Sequence, residues 1–124
     1  MIAGDVFWFP FGQVDASGEE KRRPVLVVAV GPTGPEEDEV VLVAPITSSR
    51  ARLNDVRRGD VLIDEDFRES SLFAPSVVRG RQVSGVPRNL LTSRAGGVSA
   101  EVLFRVKTIV RELLGASDQP PLTL

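Results

Sequence analysis

Three cations, Lys21, Arg22 and Arg23, stand directly before Pro24 and the apolar run Val25-Leu26-Val27-Val28. Proline suits the first position of a strand, where a missing N–H costs least. The residue before a proline is biased to extended backbone. Arg23 is therefore expected at the entrance of a buried strand, held straight, where its guanidinium can meet an anion. That planar group grips pairs of phosphate or carboxylate oxygens. The chain contains no His and no Cys. The commonest general base and metal ligand is therefore missing, as are thiolate metal sites and disulfides. Catalysis would have to use Arg, Lys, carboxylates or hydroxyls. From these residues alone, the plainer reading of Arg23 is a surface cation opposite Glu19 or Glu20, a pair worth about 0–1 kcal/mol.

The elements that must position these cations follow from the pattern. Gly4-Asp5 is a turn signal, and Val6-Phe7-Trp8-Phe9 begins a first strand. Trp8 could line a site, but a place in the core or between two copies of the chain is the expected one. Residues 10–22, with Pro10, Gly12, Asp15, Ser17 and Gly18, read as a long loop. Residues 24–31 form a second strand, apolar enough to be buried on both faces. After the acidic turn 31–38 comes a third strand, 39–46, in which Pro45 marks an edge or a bulge. Arg50, Arg52, Arg57 and Arg58 lie in a basic loop, and Val61-Leu62-Ile63 is a short strand. Asp64-Glu65-Asp66 lacks the spacing of a calcium loop and reads as a solvated turn.

Arg79 and Arg81 are two apart and would share a face if both lie on a strand. Residues 87–91 read as one helical turn, and Gly96-Gly97 as a break. Ser99 is an N-cap. Behind it Val102, Leu103, Val106, Ile109, Val110, Leu113 and Leu114 recur at helical spacing, up to Gly115. The pattern predicts about five short antiparallel strands and then an amphipathic helix. That is a mainly β fold with a C-terminal α-helix, a bent sheet or partial barrel, with an open α+β sandwich as the alternative.

The chain of 124 residues suits one domain, taken as 1–115 with a flexible tail over 116–124. A net charge of −2 argues against bulk attraction to nucleic acid, yet the cations are nearly all Arg and are clustered, so a local basic face stays open. No apolar run is long enough to span a membrane and the N-terminus has no signal-peptide pattern, so a cytoplasmic protein without membrane association is expected.

Four segments in order resemble the MazF/PemK/Kid group of toxin endoribonucleases. Gly4-Asp5-Val6 opens the first strand, and Arg23-Pro24-Val25-Leu26-Val27-Val28 the second. Pro45-Ile46-Thr47-Ser48 ends the third. Ser76-Val77-Val78 leads on to Gly97-Val98-Ser99 and the final helix. The likeness runs from about residue 3 to 114. One departure is that Ser17-Gly18-Glu19-Glu20 lies nearer the Arg-Pro pair than the family's comparable loop stretch.

The resemblance implies an SH3-like, partly open barrel of the CcdB/MazF type and a homodimer. It also implies metal-independent cleavage of single-stranded RNA without any cofactor, and a cognate antitoxin that occupies the RNA groove, the complex with it binding DNA. The family's catalytic arginine falls on Arg23 and its threonine on Thr47. Glu20, Arg22, Ser48, Arg50, Arg52, Arg57, Arg58, Arg79 and Arg81 are the implied RNA-binding set.

That chemistry is compatible with the residues. RNA carries its own nucleophile, the 2′-hydroxyl, so the protein need only align it and stabilise charge at phosphorus. Phe11 and Phe73 are the candidates for base stacking. A CcdB-like gyrase poison is the alternative, although the tail from Gln119 to Leu124 lacks the aromatic residue such proteins usually carry near the C-terminus. A peptide-binding SH3-like module is disfavoured by an aromatic content of 6%.

Overall fold

A computed structural model of the chain describes residues 1–14, 16–31, 39–48, 58–64, 67, 68, 70 and 72–117, with only backbone described at 11–14, 20, 21, 116 and 117. The strands are β1 (Asp5–Val14), β2 (Glu20–Val30), β3 (Val40–Thr47), β4 (Asp60–Ile63), β5 (Ser76–Arg79), β6 (Ser84–Pro87) and β7 (Arg94–Gly97). Among the described residues one α-helix, α1 (Ala100–Ser117), follows. The seven strands pair in the order β4-β5-β3-β2-β1-β7, with β6 added alongside β3. All the strand pairings are antiparallel. The sheet curls into a partly open barrel, as the pattern predicts.

The apolar run of β2 shows why the sheet has a core on each face. Leu26 and Val28 join Val6, Ala44, Ile46, Ile63 and Val78 in one buried cluster. Val25 and Val27 join Phe7, Val41, Val43, Val86 and Leu91 in the other. Side chains alternate along a strand, so a strand buried on both faces must be apolar throughout. The helix covers the first cluster with Val102, Val106 and Val110, one turn apart. Ser99 caps it: its Oγ accepts the Val102 N–H at 3.2 Å. The helix passes through Gly115 to Ser117 instead of stopping at the glycine. A side chain at 115 would touch nothing, so no tertiary contact forces a turn there.

The long first loop is not observed. β1 and β2 form a hairpin in which Phe9 pairs with Arg23, Pro10 with Arg22 and Val14 with Glu20, with an irregularity between Pro10 and Val14. Its turn includes Gly18 at φ +87°. Backbone pairing needs no apolar alternation, so the polar, Gly- and Pro-containing stretch conceals two strand ends. Arg23 consequently lies inside a strand rather than ahead of one.

Pro24 sits opposite Trp8, and the Trp8 N–H donates to the Ser93 carbonyl, away from β2. The missing N–H of Pro24 therefore faces the β3 side, next to the Val25–Pro45 pair with which the β2–β3 register ends. On its other edge β3 changes partner around Pro45: residues 40–43 pair with β6, and Ile46 and Thr47 with β5. Pro45 is thus accommodated at a switch of partner. Two prolines, one on each strand, mark the place where β2 and β3 part.

Two short strands escape the pattern. In β7, Gly96 pairs with Val6 and Gly97 with Asp5, where a chain break is expected. Its Arg94 donates to Asp5 at 3.1 Å, and the same buried carboxylate accepts the Ile2 N–H at 2.9 Å. β6 is Ser-Gly-Val-Pro, too short and too polar to declare itself. The turn expected at 87–91 is a 3-10 turn at Arg88–Leu90. It is tied to the start of β3 by the Arg88–Glu39 ion pair and by the Arg88 N–H on the Glu39 carbonyl at 3.0 Å.

Candidate phosphate-binding cleft

The parting of β2 and β3 leaves a cavity on either side. One, of about 380 Å³, is bounded by Phe9, Arg23, Thr47, Arg79, Gln82 and Ser84 over an apolar floor that includes Val25 and Val43. The other, of about 450 Å³, is bounded by Trp8, Arg22, Arg23, Thr47, Ser48 and Phe73. Arg23, Ile46 and Thr47 line both. Arg23 lies two residues before Val25 on β2 and Thr47 two residues after Pro45 on β3, just beyond the last pair of the β2–β3 register. Ile46 anchors this wall in the first core. Thr47, the last residue of β3, is half-buried, while Arg22, Arg23 and Ser48 are exposed. One guanidinium and one hydroxyl thus stand together on rigid strands.

Arg79 joins them from the end of β5, within the 380 Å³ cavity. Its Nε is buried and has no hydrogen-bond partner among the described residues. A buried donor without an acceptor is unfavourable by about 1–3 kcal/mol. Arg79 lines the cavity, so its positive charge faces any anion that enters there.

Arg81 does not share a face with Arg79. The strand ends at Arg79, and a 3-10 turn, Gly80–Gln82, rotates the next side chain away. The Gly80 N–H donates to the Gly59 carbonyl at 2.9 Å. The stem of Arg81 crosses Gly59 so closely that a Cβ there would lie 2.3 Å from the Arg81 Cγ. Arg81 and Arg58 line a separate cavity of about 300 Å³ against Ile109 and Glu112 of α1. Among the described residues that cavity shares no lining residue with the two around Arg23 and Thr47.

Of the residues singled out from the sequence, Arg22, Arg23, Thr47, Ser48 and Arg79 come together, whereas Arg58 and Arg81 do not. Arg50, Arg52 and Arg57 lie outside the described residues, as do Glu65, Asp66, most of the acidic turn and the tail from 118. The side chains of Phe11 and Glu20 are likewise outside the description. Sequence reasoning missed Phe9, Gln82 and Ser84 as lining residues. Of the readings open for Trp8, the structure shows the site-lining one, on the cleft wall. A hairpin register for β1 and β2 would have found Trp8 and Phe9, since they are the cross-strand partners of Pro24 and Arg23. Among the described residues no helix is long and apolar enough to cross a membrane.

Comparisons with known proteins point the same way. Endoribonuclease MazF2 of Mycobacterium bovis is 29% identical over 110 residues, covering 89% of this chain and 93% of its own length. Endoribonuclease MazF6 of Mycobacterium tuberculosis matches to the same extent. In structure the chain resembles the MazF of Deinococcus radiodurans, with a TM-score of 0.65, 20% identity and coverage of 93% of this chain and 96% of that one. A MazE-MazF crystal structure from the same organism gives 0.65 at 21% identity, covering 93% and 95%. The family described as PemK-like, MazF-like toxin of type II toxin-antitoxin system matches residues 2–114. The chain therefore belongs to the PemK-like, MazF-like family of toxins of type II toxin–antitoxin systems.

Proposed function

We propose that this chain is an endoribonuclease toxin that cleaves single-stranded RNA, mRNA included, at short sequences, and that Arg23 and Thr47 form its catalytic pair. The observation that carries the reading is the presence of both residues on the wall common to two adjoining cavities. The family match and the endoribonuclease relatives support it, and they favour it over gyrase poisoning. In the reaction, the 2′-hydroxyl oxygen attacks the neighbouring phosphorus as the bond to the 5′-oxygen breaks. A 2′,3′-cyclic phosphate and a 5′-hydroxyl result. The Arg23 guanidinium stabilises the charge growing on the phosphate oxygens, and the Thr47 hydroxyl hydrogen-bonds the same group. Arg22, Ser48 and Arg79 hold adjacent phosphates, which sets register without reading bases.

The toxin acts in the cytoplasm as a homodimer until its cognate antitoxin covers the cleft. The MazE-MazF complexes among the structural relatives are the precedent for such a partner. The test is incubation of purified protein with single-stranded RNA in EDTA, with DNA as control, and mapping of the new ends. Cleavage of RNA only, leaving 5′-hydroxyl ends, is expected. Hydrogen in place of the 2′-hydroxyl at the cut should block it. Arg23→Ala and Thr47→Ala should each lose roughly 10²–10³-fold in kcat, the usual effect of removing one transition-state donor. Wild-type rates in both variants would refute the site assignment.

A further inference from the structure

The larger cavity has an aromatic wall that the phosphate chemistry does not use. Phe73 is 91% exposed, although its neighbour Leu72 is buried in the first core. Its ring centroid lies 6.1 Å from that of Trp8, with the planes inclined at 33°. The loop bearing Phe73 is tied down on both sides. The Leu72 N–H donates to the Phe67 carbonyl at 3.0 Å, and the Ser76 hydroxyl donates to the Ala74 carbonyl at 2.9 Å. A ring so exposed on an anchored loop is presented to something. Trp8 reaches the same place from the hairpin, opposite Pro24 and one residue from Phe9, the partner of Arg23.

The same cavity contains Arg22, Arg23, Thr47 and Ser48. A ligand that fills it must therefore have a flat apolar face directly beside a phosphate. A nucleotide of a single strand has both, and its base is unstacked and available. We propose that Trp8 and Phe73 form a nucleobase subsite next to the phosphate held by Arg23 and Thr47. The base stacks on the exposed Phe73 ring, with Trp8 closing the inner side. The proposal rests on the RNA-cleaving reading, which it deepens by locating where one base is held.

Trp8 is the only tryptophan and the chain has no tyrosine, so its fluorescence reports on this cavity alone. The probe is a set of single-stranded 2′-O-methyl oligonucleotides of each base, which have phosphates and bases but no nucleophilic hydroxyl. Saturable quenching of Trp8 by at least one of them is expected. Phe73→Ala should weaken binding roughly 5- to 150-fold, the range for loss of one stacking platform, and Phe73→Tyr should restore it. Phe104→Ala, which removes an exposed ring on α1 away from the cleft, should bind as wild type. Removing a single base from the oligonucleotide should weaken binding to wild type, and far less to Phe73→Ala. Equal affinity of Phe73→Ala and wild type overturns the proposal. So does a change of molecular mass in Phe73→Ala, which would assign the ring to contact between copies of the chain. Cleavage is read separately: Phe73-dependent binding without cleavage of any RNA would remove the nuclease reading and leave the subsite, and cleavage without that dependence would do the reverse.

Discussion

Single residues divide by which cavity they reach. Arg79 and Arg81 look alike in sequence, but only Arg79 lies with Arg23 and Thr47, and its buried Nε has no acceptor among the described residues. A hydrogen bond to a charged group contributes about 1.5–3 kcal/mol, so Arg79→Ala should weaken RNA binding by roughly tenfold or more. Arg81→Ala and Arg58→Ala should stay within about twofold of wild type for an oligonucleotide short enough to fill only the cleft, since an exposed cation at a distance is screened. Binding of the 2′-O-methyl oligonucleotides to all three variants checks this. Equal losses at Arg79 and Arg81 would mean that the strand reaches round to the helix.

Among the elements, β2 has the central role. It pairs with β1 and β3 and contributes to both cores. Leu26 is fully buried beneath α1. Leu26→Ala should lower stability by about 2–5 kcal/mol in urea unfolding. At the far end of the sheet, Gly59 has φ +93° and lies beneath the Arg81 stem. Gly59→Ala should destabilise by about 1–3 kcal/mol, because an L residue is strained there and the Arg81 side chain must move. The Ser99 cap has a smaller effect: Ser99→Ala should reduce stability by about 1 kcal/mol. Unfolding curves in which Gly59→Ala matches wild type would show that the turn at Arg58 and Gly59 before β4 tolerates another conformation.

For the whole molecule, a net charge of −2 gives no general attraction to RNA. In the proposed site, binding depends on the local group of Arg22, Arg23 and Arg79. Three phosphate contacts on a single strand predict that log K falls with log salt at a slope of about −2, and Arg22→Ala should make it shallower by about 0.7. Titrations at several salt concentrations measure this. A slope near zero would mean that base stacking, not phosphate contact, supplies the affinity. A much steeper one would bring the arginines of the 50–58 segment into the interface.

The order of residues alone determined the strongly periodic parts. The β-branched run of β2, the apolar strand before Thr47 and the capped amphipathic helix are local patterns, and each recurs in the fold. The basic Arg-Pro segment could be singled out from its own adjacent residues, whereas Pro-Ile-Thr-Ser stood out only through the family resemblance. Tertiary structure decided the rest. Polar hairpin ends and the strands Ser84–Pro87 and Arg94–Gly97 are held by cross-strand backbone bonds that carry no side-chain pattern. Arg79 and Arg81 part because a 3-10 turn closes on Gly59, a contact between distant segments. The cleft exists because two prolines far apart in sequence meet where β2 and β3 diverge. Trp8 and Phe73 become one wall only when the first hairpin and the loop before β5 fold against each other.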